Sequence, residues 1–243
     1  LCAAYNGMYK TTDSGDSWIL NYQDETHFTS VQFLNENFGW AVGSETSGNL
    51  NLIRTQNGGV SWNKTLVASG LTDPTIEMIN QSTGFIISEG SGQIRKTTDV
   101  GDSWIIVYND VTNGHSLFDI SFSDELLGFA GGAGVNFLST TDGGNTWEQK
   151  YNPLTFCTNI HVVENHCWVS GFGVGYNAIV YSDDYGNSWT PIYVDTGSSI
   201  QDVFFPDVNN GWYCSTSGNG APEYNGFIYK IETGWSSNIV IPS

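Results

Sequence analysis

The chain alternates between short apolar runs and polar clusters rich in Gly, Asn, Asp, Ser and Thr. In VQFLNENFGWAVG, residues 31–43, apolar and polar residues alternate, a polar turn follows, and an aromatic residue leads a second apolar run. Alternation with a period of two is typical of half-buried β-strands, and turn residues mark their ends. The pattern therefore predicts a β-hairpin. The same pattern recurs at residues 76–88, 120–132, 160–171 and 203–214.

A second motif, (Ser/Thr)-x-(Asp/Asn)-x-Gly-x-(Ser/Thr)-Trp, occurs five times in the 243 residues. In a tight turn, Asp or Asn can accept backbone N–H groups, and Gly can take the positive φ that other residues resist. The Trp can bury its ring between neighbouring sheets. We therefore predict structural roles for the Asp or Asn, the Gly and the Trp of each copy. These residues are Asp13, Gly15, Trp18, Asn57, Gly59, Trp62, Asp99, Gly101, Trp104, Asp142, Gly144, Trp147, Asp184, Gly186 and Trp189.

The spacing of the motif predicts the architecture. Successive motif tryptophans are 44, 42, 43 and 42 residues apart. A repeat of this length fits a four-stranded propeller blade, with the motif turning between the third and fourth strands. We predict an all-β protein: a single β-propeller of about six four-stranded antiparallel blades, whose first blade lacks its innermost strand and whose parent chain is longer. The blade repeats are expected within one domain at about 1–22, 28–66, 74–108, 117–151, 158–194 and 201–243.

This motif resembles the Asp-box, or BNR, repeat of a β-propeller family, and the resemblance covers nearly the whole chain. The family includes sialidases, sortilin-type receptors, xyloglucan-cleaving glycosidases and photosystem II assembly factors of the Ycf48 type. The resemblance therefore implies the fold but no single activity. The low Lys and Arg content and the T-x-D-G-G-x-T-W style look like those of bacterial surface proteins.

Composition and charge restrict the partners and the compartment. The formal net charge is −18, and charged residues make up only 13% of the chain. Asn, Ser, Thr and Gly carry the polar surface instead, which favours an extracellular or cell-surface bacterial protein. An acidic surface repels nucleic acid and anionic lipid. No apolar stretch approaches the roughly 18 residues that a membrane-spanning helix needs.

The four cysteines, Cys2, Cys157, Cys167 and Cys214, fit no zinc-binding spacing. Buried free thiols and disulfides both remain open, and the secreted composition favours disulfides. Cys2 with Cys214 and Cys157 with Cys167 are the candidate pairs. Loop carboxylates could hold Ca²⁺, but no D-x-D-x-D-G loop with a closing Glu occurs, so we predict no metal site and no cofactor.

The residues also limit the possible enzymes. Sialidase chemistry, by the resemblance, needs three arginines to hold the substrate carboxylate, and this chain has only Arg54 and Arg95. The Ycf48-type proteins are expected to use a basic patch, whereas the seven Lys and Arg residues here form no run. A glycosidase needs two carboxylates about 5–10 Å apart, and no pair stands out. We therefore predict no catalytic residue, which leaves enzyme activity open but disfavoured.

Loops between strands four and one, and between strands two and three, carry the ligand face of a propeller. Aromatic, acidic and histidine side chains in these loops suit stacking on sugars or gripping a peptide. The candidate ligand-binding residues are Asp24, Glu25, His27, Glu45, Asp110, His115, Tyr151, Tyr176, Glu223 and Tyr224.

The first functional hypothesis is a non-catalytic secreted or cell-surface propeller that binds a protein or glycan, within a larger surface protein. One alternative is a structural subunit of an extracellular assembly, with self-association or a donated strand at the incomplete first blade. Two others are a glycoside hydrolase acting on neutral polysaccharide and an assembly factor for a membrane complex.

Overall fold

The computed structural model describes residues 2–4, 7–110, 116–134, 137–195, 198–217 and 226–232. Across these ranges the chain forms 22 β-strands and no helix. The strands form six sheets of three or four antiparallel strands each, joined in chain order. The prediction of an all-β propeller of about six blades is therefore confirmed. Over the same ranges, no helix is long and apolar enough to cross a membrane.

The chain divides into two compact units, Leu1–Ser116 and Leu117–Ser243, here called the first and second unit. The first unit holds three sheets. Its strands are β1 (Cys2–Ala4), β2 (Gly7–Lys10) and β3 (Ile19–Gln23); β4 (His27–Phe33), β5 (Gly39–Ser44), β6 (Asn49–Thr55) and β7 (Asn63–Ser69); and β8 (Thr72–Met78), β9 (Gly84–Glu89), β10 (Ser91–Thr97) and β11 (Ile105–Asn109).

The second unit holds the other three sheets. Its strands are β12 (Leu117–Phe122), β13 (Gly128–Gly132), β14 (Phe137–Thr140) and β15 (Glu148–Gln149); β16 (Phe156–Val163), β17 (His166–Gly173), β18 (Tyr176–Ser182) and β19 (Thr190–Asp195); and β20 (Ser198–Asp207), β21 (Asn210–Ser217) and β22 (Gly226–Glu232).

The first sheet has three strands among the described residues, and β1 pairs only with β2 there. The expected fourth strand of the last sheet, residues 236–243, lies outside the described residues. That the whole chain forms one domain stays a prediction.

A β-bulge recurs near the start of each inner strand, where β4, β8, β12, β16 and β20 all shift register against their partners. Side chains just after the bulge reach the next sheet. Ser30 Oγ accepts the main-chain N–H of Ile76 at 3.4 Å. At the same position in the second unit, Asp119 Oδ2 accepts the N–H of Ile160 at 2.6 Å. Neighbouring inner strands of a unit are thus joined by single side chains.

The repeated motif forms a turn closed by its own side chains. In the fourth copy, Asp142 Oδ1 accepts the N–H of Thr146 at 2.9 Å, and Thr146 Oγ1 donates to Asp142 Oδ2 at 2.7 Å. Thr140 Oγ1 accepts the N–H of Gly144 at 2.9 Å, and Gly144 has a φ of +71°. The hydrogen bonds from Thr146 lower the pKa of Asp142 to about 2. The carboxylate is therefore the centre of the turn.

The core lies between adjacent sheets of each unit. One cluster joins the first and second sheets through Met8, Phe28 and Ile53, and another joins the fourth and fifth through Phe129, Phe137 and other buried residues. Motif tryptophans flank these clusters: Trp62, Trp104 and Trp189 each pack against a core that includes the preceding sheet.

The prediction of disulfides between Cys157 and Cys167 and between Cys2 and Cys214 is wrong. Cys157, Cys167 and Cys214 are free thiols. In the β16–β17 ladder, Cys157 lies opposite Gly171, whereas Cys167 lies opposite Val162. The two cysteines are thus several residues apart along the strands, and a disulfide needs Cα atoms within about 7 Å. Cys214 is free as well, so it forms no bridge to Cys2, whose side chain lies outside the described residues.

Candidate functional site

Lys64 joins two loops of the first unit into one polar cluster. It lies near the start of β7, and its Nζ donates to Asp24 Oδ2 at 2.8 Å and to Glu45 Oε1 at 2.9 Å. A third donation goes to Thr26 Oγ1 at 3.1 Å. Asp24 follows β3 and Glu45 follows β5, so one cation satisfies carboxylates from a loop between two sheets and from a hairpin loop. We call these four residues the Lys64 cluster.

The Lys64 cluster holds its charges in the ionised state. Burial opposes ionisation of Asp24, but hydrogen bonds from Lys64 and Thr26 outweigh it and lower the pKa of Asp24. Hydrogen bonds from Lys64, Ser47 and Asn49 also lower the pKa of Glu45. A carboxyl group that acts as a general acid near neutral pH needs a raised pKa. Neither carboxylate suits that role.

A cavity of about 610 Å³ opens in the second unit. Residues 149–155, which run from the last residue of β15 to the start of β16, form one wall, and Gly134, Phe137 and Cys157 complete the described lining. Phe137 and Cys157 are almost fully buried, whereas Tyr151 at the rim is 76% exposed. The volume lies within the roughly 300–1,000 Å³ typical of ligand pockets. No carboxylate belongs to the described lining.

Hydrogen bonds from three neighbouring segments hold this wall in place. Trp189, the motif tryptophan of the fifth sheet, donates from Nε1 to the carbonyl of Tyr151 at 2.8 Å. Tyr176 donates its hydroxyl to the carbonyl of Pro153 at 3.2 Å. Thr155 accepts the N–H of Gly134 at its carbonyl, at 2.8 Å. The wall is therefore ordered before any ligand arrives, which lowers the entropy lost on binding.

Comparisons with known proteins agree with the repeat and the fold. A family model described as photosynthesis system II assembly factor YCF48 matches residues 104–197, which include three of the five motif tryptophans. No protein of curated function matches the sequence. That match covers less than half of the chain. Together with motif turns built alike in both units, it supports a β-propeller with repeats of the Asp-box (BNR) type.

Solved structures support the same fold for this Asp-box propeller. The GH74 enzyme of Niastella koreensis is similar with a TM-score of 0.75 and 16% identity, over 97% of this chain and 42% of the enzyme. YCF48 bound to D1 peptide gives 0.64 and 19% identity, over 92% of this chain and 75% of YCF48. The propeller thus spans less than half the length of the GH74 chain. At these identities the similarity concerns the fold alone.

The predicted ligand-binding residues fall into separate places. In the first unit, Asp24 and Glu45 meet at Lys64, whereas Glu25 is exposed and His27 and Asp110 lie outside that cluster. In the second unit, Tyr151 lines the cavity and Tyr176 supports its wall. The remaining three candidates, His115, Glu223 and Tyr224, lie outside the described residues. Their role as ligand-binding residues stays a prediction.

The two arginines of this propeller are used within the fold. Arg54 pairs with Asp102 at 2.5 Å and also donates to the carbonyl of Val100 at 3.1 Å, so it ties β6 to the motif turn of the next sheet. Arg95 donates to Gln93 Oε1 at 2.8 Å, and burial lowers its pKa. Both guanidinium groups already have partners within the fold. This agrees with the expectation that the chain does not carry out sialidase chemistry, which would need free arginines to hold a substrate carboxylate.

Sequence reasoning missed Lys64, whose partners lie 40 and 19 residues away. The cavity wall lies in one of the predicted ligand-face loops between strands four and one, but of its residues only Tyr151 was singled out. Asn152 and Pro153 carried a usable signal, since an Asn-Pro pair marks a turn. Phe137 carried none, because it reads as an ordinary strand residue, and Cys157 was singled out only as a candidate disulfide partner.

Proposed function

We propose that this Asp-box propeller is a non-catalytic binding module for polypeptide ligands, which bind at the cavity of the second unit. The observation that carries the proposal is the cavity itself: about 610 Å³, apolar in its depth and walled by an ordered segment with an exposed tyrosine at the rim. Pockets of this kind bind ligands by burying apolar groups, while a few polar groups set the orientation.

Two further observations support binding rather than catalysis. The candidate carboxylates Asp24 and Glu45 are both held by Lys64, which leaves neither of them placed to donate a proton to a leaving group. Furthermore, the fold of YCF48, solved with a D1 peptide bound, is similar to that of this chain. An assembly factor also acts by binding polypeptide, so that alternative is one form of the same proposal.

The second candidate is a glycoside hydrolase, favoured by the similarity to GH74 enzymes. Such chemistry needs a carboxylate pair about 5–10 Å apart across the bond to be cleaved. The cavity wall contributes no described carboxylate, which favours binding over hydrolysis.

One experiment compares the two candidates. The full chain is incubated with a panel of neutral polysaccharides and assayed for new reducing ends, and a labelled sample is applied to an array of synthetic peptides. We expect binding to a subset of the peptides and no new reducing ends. Release of reducing ends by the purified chain would overturn the non-catalytic assignment, and an array without any hits would overturn polypeptide binding.

We also propose an extracellular or cell-surface location, as the composition favours. The proposal is supported by a surface built on Asn, Ser, Thr and Gly with only 13% charged residues. Fractionation of the native cells checks it: recovery of the protein only in the cytoplasmic fraction would contradict the proposal. Self-association at the three-stranded first sheet stays a prediction.

A further inference from the structure

The deep part of the cavity offers an apolar side chain a dry, uncharged environment. Phe137 and Cys157 are each 1% exposed and Leu154 is 3% exposed. Burial raises the pKa of Cys157 to about 12, so its thiol stays neutral and behaves as a small apolar group. Free energy is gained when apolar surface leaves water. The floor therefore favours an aliphatic or aromatic group of the ligand.

One buried hydrogen-bond donor of the wall has no partner within the described residues. Asn152 lines the cavity, and its Oδ1 accepts the N–H of Leu154 at 2.8 Å. Its Nδ2 is buried and has no hydrogen-bond partner among the described residues. A buried amide without a partner is unfavourable, so a ligand that offers an acceptor would gain affinity there. A main-chain carbonyl beside the inserted side chain is such an acceptor.

The second unit as a whole carries an excess of negative charge. Lys150 is the cation among the described lining residues, and its Nζ already contacts Glu148 Oε2 at 2.9 Å and Asn187 Oδ1 at 3.2 Å. Residues 117–243 contain thirteen Asp and Glu side chains, two Lys and no Arg. Such an excess of negative charge attracts cationic partners over distances of about the Debye length, roughly 8–10 Å in physiological salt.

The nearby aromatic residues favour a peptide over a sugar. Sugar rings stack on free aromatic faces, but Phe156 stacks on Phe172 at 4.5 Å and on Phe118 at 6.3 Å between ring centroids. These rings cover one another's faces. Among the described lining residues, only Tyr151 offers an exposed ring, which is too little for a chain of sugars but enough to cover one inserted side chain.

We propose that the cavity of the second unit binds an aliphatic or aromatic side chain of a positively charged polypeptide segment, with the segment's main-chain carbonyl accepting a hydrogen bond from Asn152 Nδ2. The inference rests on the proposed function and adds to it the site and the chemical class of the partner. Tyr151 closes over the inserted side chain, and the acidic surface attracts the flanking positive charges.

The test uses the full chain and labelled peptides of the form Gly-Lys-Lys-Ser-Xaa-Ser-Lys-Lys-Gly, with Leu, Phe or Ala at Xaa, followed by fluorescence anisotropy. We expect the Leu and Phe peptides to bind about tenfold more tightly than the Ala peptide, as for a side chain that fills a hydrophobic pocket. Replacement of the four lysines by Glu weakens binding, and added salt weakens binding of the lysine series.

Two variants locate the site. Tyr151→Ala removes the exposed rim ring, and we expect about tenfold weaker binding of the Leu and Phe peptides. Asn152→Asp keeps the oxygen that accepts from Leu154 but replaces the donor with an acceptor. Because its new negative charge would attract the lysines, weaker binding by a variant that unfolds at the same temperature as the parent reports the lost donor. Val174→Ala, at an exposed position of the same unit outside the cavity lining, is the matched control and should bind as the parent does.

The outcomes separate the inference from the function it rests on. Equal binding of the Leu, Phe and Ala peptides overturns the apolar anchor, and tighter binding of the Glu series overturns the cationic partner. Unchanged binding in both Tyr151→Ala and Asn152→Asp places the peptide elsewhere, although polypeptide binding stands. Competition by a neutral polysaccharide for the same site assigns the cavity to sugars. If the peptide array also has no hits, the proposed function itself fails.

Discussion

The two units hold carboxylates in opposite ways. In the first unit, Asp24 and Glu45 share the cation of Lys64, and their pKa values are lowered. In the second unit, Asp119 accepts the main-chain N–H groups of Ile160 and Ile120, and no ion pair joins it to a cation within the part of the chain that the structure describes. Burial outweighs those hydrogen bonds and raises the pKa of Asp119 to about 7. A carboxylate beside a cation therefore stays charged, whereas burial without a cation favours the protonated form of Asp119.

The Lys64 cluster of the first unit and the cavity of the second unit also differ in how completely their polar groups are paired. The Lys64 cluster leaves its cation with three acceptors and no vacancy for a ligand, whereas the cavity of the second unit keeps an apolar floor and a buried amide donor without a described partner. A saturated polar cluster stabilises its loops. An unsaturated cavity costs stability, which is the usual mark of a site shaped for binding.

The largest expected effect is the pH dependence that Asp119 gives to stability. Its pKa is raised in the folded state, from an ordinary value of 3.8 to about 7. The unfolded chain therefore loses this proton first, and stability falls as the pH rises from about 4 to about 7. The change amounts to at most about 4 kcal/mol, at about 1.4 kcal/mol for each pKa unit. Denaturant titrations at several pH values measure it.

Asp119→Asn isolates this contribution, because the amide keeps one acceptor and cannot ionise. Asn159 holds the equivalent position of the next sheet and accepts the N–H of Val203 at 3.3 Å, so an amide is compatible with the inner strand. The difference between the two profiles should fall with pH over this window. His161, whose pKa burial lowers, adds an opposite slope to both proteins and cancels. Parallel profiles would mean that Asp119 does not titrate there.

The next effect in size tests the Lys64 cluster. Lys64→Met removes the cation but keeps much of the aliphatic stem, so Asp24 and Glu45 face each other without compensation. We expect a loss of about 1–2 kcal/mol in the free energy of unfolding, because the ammonium makes three charge-assisted hydrogen bonds in a partly exposed setting. Urea titration at neutral pH measures the loss.

Lys150→Met in the second unit is the matched control. Its partner Glu148 is 74% exposed, so this pair should contribute less than about 1 kcal/mol. Equal losses from the two substitutions would show that the Lys64 cluster is no more than an ordinary surface ion pair, and the contrast between the units would disappear.

The fold was more predictable from sequence than the site, for physical reasons. The motif turns depend on hydrogen bonds between residues two to four positions apart, as those of Asp142 with Thr140 and Thr146 show, so a repeated pattern reveals them. The Lys64 cluster joins positions up to 40 residues apart, and nothing in the local pattern around Lys64 marks its partners. The cysteine pairing failed because strand register, with a bulge between Cys157 and Asn159, decides which residues face each other.

The smallest expected effect concerns Tyr151. Because its ring is 76% exposed, Tyr151→Ala should change the free energy of unfolding by less than about 0.5 kcal/mol. Tyr176→Phe, which deletes the hydroxyl that donates to the carbonyl of Pro153, should cost about 1 kcal/mol because it loosens the cavity wall. Thermal or urea unfolding of both variants gives the comparison. A loss above about 1 kcal/mol in Tyr151→Ala would make the ring a structural element. A near-zero value leaves an exposed aromatic side chain that the fold does not need, beside a cavity that the fold does not fill.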